Sequence, residues 1–256
     1  MKSRVLDAIA NGSLWAKFQP IVALQSAEVI GFEALIRGPW QSDAESPLSL
    51  FKLAEEEGVE RELEAAAMVT CVRTFGLLGA QRDLFVNVSA LNFEHVLFCD
   101  EVQEAVGAWG AAGCGKIVIE LTEKKAASNV SRLNSAVEAA RRLGFRIALD
   151  DFGVAHSNLN WWIALRPEFV KLDALFVNGV SSDPLKREIL ELLQRLARST
   201  NTKLLAEGIE WREDLELCRD LHIPFAQGYF INRPSTQLQH DLSYAAATVL
   251  TRSSIF

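Results

Sequence analysis

Eight short apolar runs of strand character recur along this 256-residue chain, and their order constrains the fold more than any other feature. They are Phe18–Val22, Val29–Leu35, Leu84–Val88, Lys116–Leu121, Arg146–Asp150, Phe169–Leu172, Lys203–Ala206 and Phe225–Phe230. Helical patterns separate most of them: Leu48–Glu57, Glu60–Leu78, Glu101–Trp109, Asn129–Leu143, Pro184–Ser199, Arg212–Leu221 and Gln237–Leu250. Leu133, Ala136, Val137 and Ala140 show the i, i+3, i+4, i+7 spacing of a helix laid on a sheet, and Gly144 follows as its stop. Eight strands alternating with helices predict an α/β fold of the (β/α)8 kind over an open doubly wound sheet. The first two runs are joined only by Ala23–Glu28, too short for a helix, so they form a hairpin and the first strand is antiparallel. The expected architecture is a modified TIM barrel: one domain over residues 1–256, its core at about 14–240, preceded by a short helix at Ser3–Ala10.

Composition narrows the class of function. A hydrophobic fraction of 49% with 23% charged residues fits a protein with a sizeable core. No apolar stretch approaches the roughly eighteen residues that span a bilayer, and the N-terminus lacks a secretory apolar region, so a cytoplasmic location without membrane contact is expected. Cys71, Cys99, Cys114 and Cys218 form no CxxC pair and read as reduced thiols. The pairs His95/Cys99 and Cys218/His222 are too isolated to make a zinc site. A net charge of −7 disfavours a nucleic-acid polymer as partner but permits a small anion held through metal ions.

The chemistry lies at the strand ends. Glu33, Glu120, Asp150, Asp151 and Glu207 stand at or just past the last residue of apolar runs, and Asn87, Lys171 and Gln227 occupy the same place on three others. A parallel barrel gathers such positions at one mouth. Five carboxylates there repel one another unless cations neutralise them, and an all-oxygen set suits Mg2+ or Mn2+. Each residue also has a plainer reading. Glu33 alone is more often structural, Arg37 is either an ion-pair partner or a phosphate clamp, and Asn87 can cap a turn. Glu123 can cap the next helix, and a lone Asp-Asp pair can be an Asx turn. Lys171 can snorkel to solvent. It is their shared edge that favours a two-metal hydrolytic site acting at phosphorus. Gly153 permits the tight turn after the aspartates, Gly228 lets a ligand approach the backbone, and the Trp161-Trp162 pair is either barrel core or dimer interface, with the core favoured.

The ordered motifs Gln19-Pro20-Ile21, Glu33-Ala34-Leu35-Ile36-Arg37, Asn87-Val88-Ser89, Glu120-Leu121-Thr122-Glu123, Asp150-Asp151-Phe152-Gly153, Lys171-Leu172-Asp173, Ala206-Glu207-Gly208-Ile209-Glu210 and Gln227-Gly228-Tyr229 run from about Phe18 to Pro234. In these the chain resembles the EAL domain family of bacterial cyclic di-GMP phosphodiesterases. The resemblance implies hydrolysis of cyclic di-GMP to linear pGpG with two Mg2+ or Mn2+ ions, in a homodimer. It implies that Glu33, Asn87, Glu120 and Asp150 hold one metal, and that Asp150, Asp151 and Glu207 serve the other. Lys171 then contacts the attacking water, and Gln227 supports that water or the second-metal site. Gln19, Leu35, Arg37, Asp173 and Glu210 face substrate, and Glu123 stabilises a loop. That loop departs from the pattern: the family's Thr-Gly-Tyr-Ser-Ser is Val154-Ala155-His156-Ser157-Asn158 here. A hydroxyl is lost and a glycine restricted, so the alternative implied is a cyclic di-GMP receptor that is catalytically weak or inactive. A scaffold using only the barrel surface ranks third, since it has no use for clustered acids.

Overall fold

A computed structural model describes residues 3–111, 115–122, 130–153 and 159–251. Cys114, Glu123 and the altered loop at residues 154–158 lie outside them. Eight strands close a barrel in sequence order: β1 (Trp15–Ala23), β2 (Glu28–Arg37), β3 (Asp83–Ser89), β4 (Ile117–Thr122), β5 (Arg146–Phe152), β6 (Phe169–Leu172), β7 (Lys203–Ala206) and β8 (Phe225–Ala226). β1 is antiparallel to both neighbours, β2 and β8, while the remaining pairs are parallel. The hairpin expectation therefore holds. Among the described residues, no helix is long and apolar enough to cross a membrane.

The helices are α1 (Arg4–Ala10), α2 (Pro47–Glu57), α3 (Glu60–Leu77), α4 (Phe93–Phe98), α5 (Asp100–Ala111), α6 (Val130–Arg142), α7 (Leu159–Leu165), α8 (Ala174–Val177), α9 (Pro184–Thr200), α10 (Arg212–Asp220) and α11 (Tyr244–Thr251). Two sequence expectations need correction. The last helix starts at Tyr244, not Gln237, because Ser235 pairs with Phe18 of β1 and Ser243 Oγ accepts from the backbone N–H of Ala246. β8 ends at Ala226 because the chain leaves the ladder: Ile209 N–H donates to the Gln227 carbonyl and Phe230 N–H to that of Ile209. The short helices α4, α7 and α8 carry too few turns for a periodic signal.

Two apolar layers hold the barrel. The outer one packs helices on strands and includes Phe18, Phe32, Ile119, Val170 and Leu204, with Trp161 and Trp162 buried as core residues. The inner one, Ile21, Phe85, Val118, Ala148, Phe169 and Leu205, fills the barrel itself. Alternate residues of a strand face the same side, so the residue two places on from each inner-layer member also points inward, one step nearer the mouth. Those residues are Asn87, Glu120, Asp150, Lys171 and Glu207, while Gln227 follows Phe225, packed against the same layer. On β1, which runs the other way, the equivalent is Gln19, register partner of Glu33. One strand period thus turns an apolar plug into a polar floor.

Candidate active site at the barrel mouth

Lys171 stands at the centre of that floor, only 1% exposed. Its Nζ lies 2.7 Å from Glu120 Oε1, 2.9 Å from Asp150 Oδ1, 2.9 Å from Glu207 Oε1 and 3.6 Å from Glu33 Oε1. Asn87 Nδ2 donates to Glu33 Oε1 at 3.1 Å and to Glu120 Oε2 at 3.0 Å, and Gln227 Nε2 donates to Glu33 Oε2. Seven elements of sequence thus meet within one hydrogen-bonded layer. The snorkelling reading of Lys171 is excluded by its burial. Asn87 does more than cap a turn, since its Nδ2 donates to two acids.

Asp150 and Asp151 occupy an irregularity in β5, where register with β6 shifts between Leu149 and Phe152. A bulge lets two consecutive side chains leave the alternation and reach the same side. Asp151 accordingly has φ +49, a left-handed conformation that Asp tolerates better than most residues. Carboxylate oxygens of Asp150, Asp151 and Glu207 lie within 4.8 Å of one another, a spacing that can hold a metal ion. Gly153 follows with φ +97, and a Cβ there would stand 1.9 Å from the Phe176 ring, so the turn admits only glycine. Gly228 serves differently from its sequence reading. A Cβ on it would come within 2.2 Å of Ile209 N, so the close approach is by this chain's own backbone.

Burial and neighbouring charges set the electrostatics of this layer. Burial, reinforced by Glu33, raises the Glu120 carboxyl well above its ordinary range, with Lys171 opposing; burial likewise raises Glu207. Burial alone would lower Lys171, but Asp150, Glu120, Glu207 and Glu33 together hold its ammonium well above the usual value. Although Lys171 is close to them, Glu120 Oε1 and Asp150 Oδ1 accept no aligned hydrogen bond, and neither does buried Gln227 Oε1. The lysine contacts to those two acids are therefore Coulombic and leave lone pairs without a directed partner. A carboxyl whose folded pKa exceeds its unfolded one binds its proton more tightly when folded. That stability is complete below the ordinary value of 4.5 and is lost as pH rises through the raised folded value. Lys171 keeps its proton, and its contribution, throughout this window. Thermal unfolding with a chelator present is expected to show Tm falling as pH climbs above about 4.5, in part through Glu120 and Glu207.

The other residues singled out from the sequence lie around the rim. Gln19, Glu210, Gln227 and Tyr229 line a cavity of about 260 Å3 at the mouth. A wider hollow of about 590 Å3, beside Arg61, His95 and Arg132, contains none of the site carboxylates. Arg37, four residues past Glu33 on the same face of β2, is half-buried and donates through Nη1 to the carbonyls of Leu35 (3.2 Å) and Ile36 (2.8 Å). Burial lowers its pKa. Leu35 is partly exposed opposite Lys17, and Asp173 caps α8 by accepting from Leu175 N–H at 2.7 Å. Sequence reasoning passed over Glu64, which lies buried on α3 behind β3. Cys71 and Cys218 are free and buried, and burial pushes both thiols up to about 12.

Comparison with known proteins places this geometry in context. The oxygen sensor protein DosP of Escherichia coli K12 is 30% identical over 233 residues, covering 89% of this chain and 29% of DosP. The cyclic di-GMP phosphodiesterase NbdA of Pseudomonas aeruginosa is 29% identical over 241 residues, covering 91% of this chain and 30% of NbdA. The chain thus spans about a third of the length of these curated relatives. The solved PaMucR phosphodiesterase, a c-di-GMP complex of the Pseudomonas aeruginosa protein, superimposes with a TM-score of 0.76 at 26% identity, covering 90% of this chain and 95% of that one. Residues 2–234 match the EAL domain as a family, and with the motifs and the barrel in agreement, the chain belongs to the EAL domain family.

Proposed function

We propose that this chain hydrolyses one phosphodiester bond of cyclic di-GMP, giving linear pGpG, with Mg2+ or Mn2+ held at the barrel mouth. The observation that carries the reading is the convergence of four carboxylates on one buried lysine, with Asp151 beside two of them and buried oxygens of Glu120 and Asp150 left without directed partners. Five carboxylates and one ammonium leave a formal charge of −4, which two divalent cations cancel. The donors are hard oxygens throughout, as such ions require. Glu33, Asn87, Glu120 and Asp150 would hold one ion; Asp150, Asp151 and Glu207 would hold the other. The relative NbdA carries the name of a cyclic di-GMP phosphodiesterase, and the PaMucR domain binds c-di-GMP in its structure.

Divalent cations supply Lewis-acid polarisation of the phosphodiester and acidify water toward neutral pH. The chain's own groups do the rest. Water oxygen attacks phosphorus, the bond from phosphorus to the 3′ oxygen breaks, and the proton that the water sheds ends on the leaving oxygen. Lys171 keeps its proton and sits where it can donate to the water and stabilise negative charge building at phosphorus. Gln227 and Asn87 fix both oxygens of Glu33, so that carboxylate cannot rotate. Arg37 supplies a planar guanidinium on the same strand face for the second phosphate, once released from its own carbonyls. Gln19 and Glu210 offer polar edges in the mouth cavity to the guanine bases.

Incubation with cyclic di-GMP and Mn2+ is expected to yield pGpG, and EDTA to abolish it. The altered sequence at residues 154–158 favours a second reading, a receptor that binds without turnover. Tight binding with no product would select it, and restoring Thr-Gly-Tyr at Val154, Ala155 and His156 would then raise activity. Neither binding nor product would reject both.

A further inference from the structure

The exit of β3, which carries Asn87, is fastened from behind by a buried acid. Glu64 on α3 is 7% exposed. Its Oε2 accepts from the backbone N–H of Ser89 at 2.9 Å, and its Oε1 accepts from Ser89 Oγ at 2.7 Å and Asn92 Nδ2 at 2.8 Å. Ser89 is the last residue of β3, two places past Asn87. Asn92, 4% exposed, closes the following turn: its N–H donates to the Ser89 carbonyl at 3.1 Å, and its own carbonyl accepts from Val96 N–H as α4 begins. No cation pairs with Glu64 among the described residues, so three donors alone compensate a buried carboxylate.

For packing alone, an apolar side chain of similar volume would serve this position as well. Only a side chain ending in two polar atoms, at least one of them an acceptor oxygen, can hold the Ser89 amide, the Ser89 hydroxyl and the Asn92 amide at once. That grip sets where β3 stops and, through the two-residue period, where Asn87 points its amide between Glu33 and Glu120. We infer that Glu64 is a positioning residue that holds Asn87 in register with the carboxylates of β2 and β4. The consequence for metal affinity rests on the function proposed above; the alignment of Asn87 does not. Partners that orient a ligand typically change metal affinity by about 10–100-fold when removed.

The test uses Glu64→Ala, Glu64→Gln, Asn87→Ala and the Glu64→Ala/Asn87→Ala double variant of the whole chain. Mn2+ affinity is read by calorimetry, and the Asn87 side-chain amide by 15N NMR with a chelator present. Glu64→Ala is expected to stay folded, to shift the Asn87 signals and to weaken Mn2+ binding by about 10–100-fold. Removing Asn87 as well should then cost little more, because both changes act through one ligand. Glu64→Gln should recover most of the affinity, since the Ser89 hydroxyl and the Asn92 amide can reverse their donors. Wild-type Mn2+ affinity in folded Glu64→Ala, full additivity with Asn87→Ala, or unmoved Asn87 signals would overturn the inference. Should Glu64→Ala not fold, Ser89→Ala decides, because it deletes one bond and keeps the acid: weaker Mn2+ binding supports the inference and unchanged binding overturns it. A wild-type protein that binds no Mn2+ defeats the functional reading instead, and the Asn87 signals then decide this one alone.

Discussion

Lys171→Met is expected to cost the metal-free protein about 3–5 kcal/mol of stability at neutral pH, the range seen when one partner of a buried ion network is removed. The side chain is all but inaccessible, and its ammonium is within 3.6 Å of four acids, three on other strands and Glu207 just past β7. Methionine fills similar volume, so the loss reports charge, not a cavity. Without the ammonium the carboxylates can relieve their repulsion only by taking protons. The deficit should therefore shrink as pH falls toward 4.5 and widen as it rises. Mn2+ should restore much of it, since a cation can stand where the ammonium was. Urea denaturation at two pH values, with and without Mn2+, reads all three effects. A variant as stable as the wild type at neutral pH without metal would show that Lys171 does not neutralise the cluster.

Asp150→Asn should act in opposite directions on stability and activity. Asp150 belongs to both proposed ligand sets, and its Oδ1 is buried without an aligned donor. Loss of its charge is expected to lower pGpG production by more than about 100-fold, beyond what loss of an outer partner costs. The metal-free protein, meanwhile, loses one repelling charge from an overcrowded layer while Lys171 keeps Glu120 and Glu207. It should be no less stable than the wild type, and more so as pH rises. A structural aspartate would give the reverse pattern, with stability lost and activity of the folded fraction kept. Chemical denaturation with a chelator, beside a product assay at saturating Mn2+, separates the two.

Much of this site is legible in the sequence because strands impose a period of two. Phe85 and Asn87, Val118 and Glu120, Ala148 and Asp150, Phe169 and Lys171, Leu205 and Glu207, and Phe225 and Gln227 each repeat apolar-then-polar on the inward face. The hairpin between β1 and β2 is equally plain, because no helix fits between them. What stays hidden depends on distant backbone. Gly228 meets Ile209, which no local pattern announces. Glu64 looks like any charged residue of α3 until the turn after β3 folds onto it. β8 ends early because the Gln227 carbonyl and the Phe230 N–H pair with Ile209 instead of continuing the ladder. Arg37 and Asp173 sit on the right elements, but their contacts here are with their own backbone neighbourhood, so only a bound phosphate or base would reveal the roles the family resemblance implies.

The most direct measurement is a calorimetric Mn2+ titration of the unmodified protein across pH 5 to 8. The account predicts two bound ions per chain, with protons released on binding and affinity rising with pH, because metal and protons compete for Glu120 and Glu207. Absence of binding at every pH, or affinity indifferent to pH together with unchanged binding in Asp150→Asn, would contradict it.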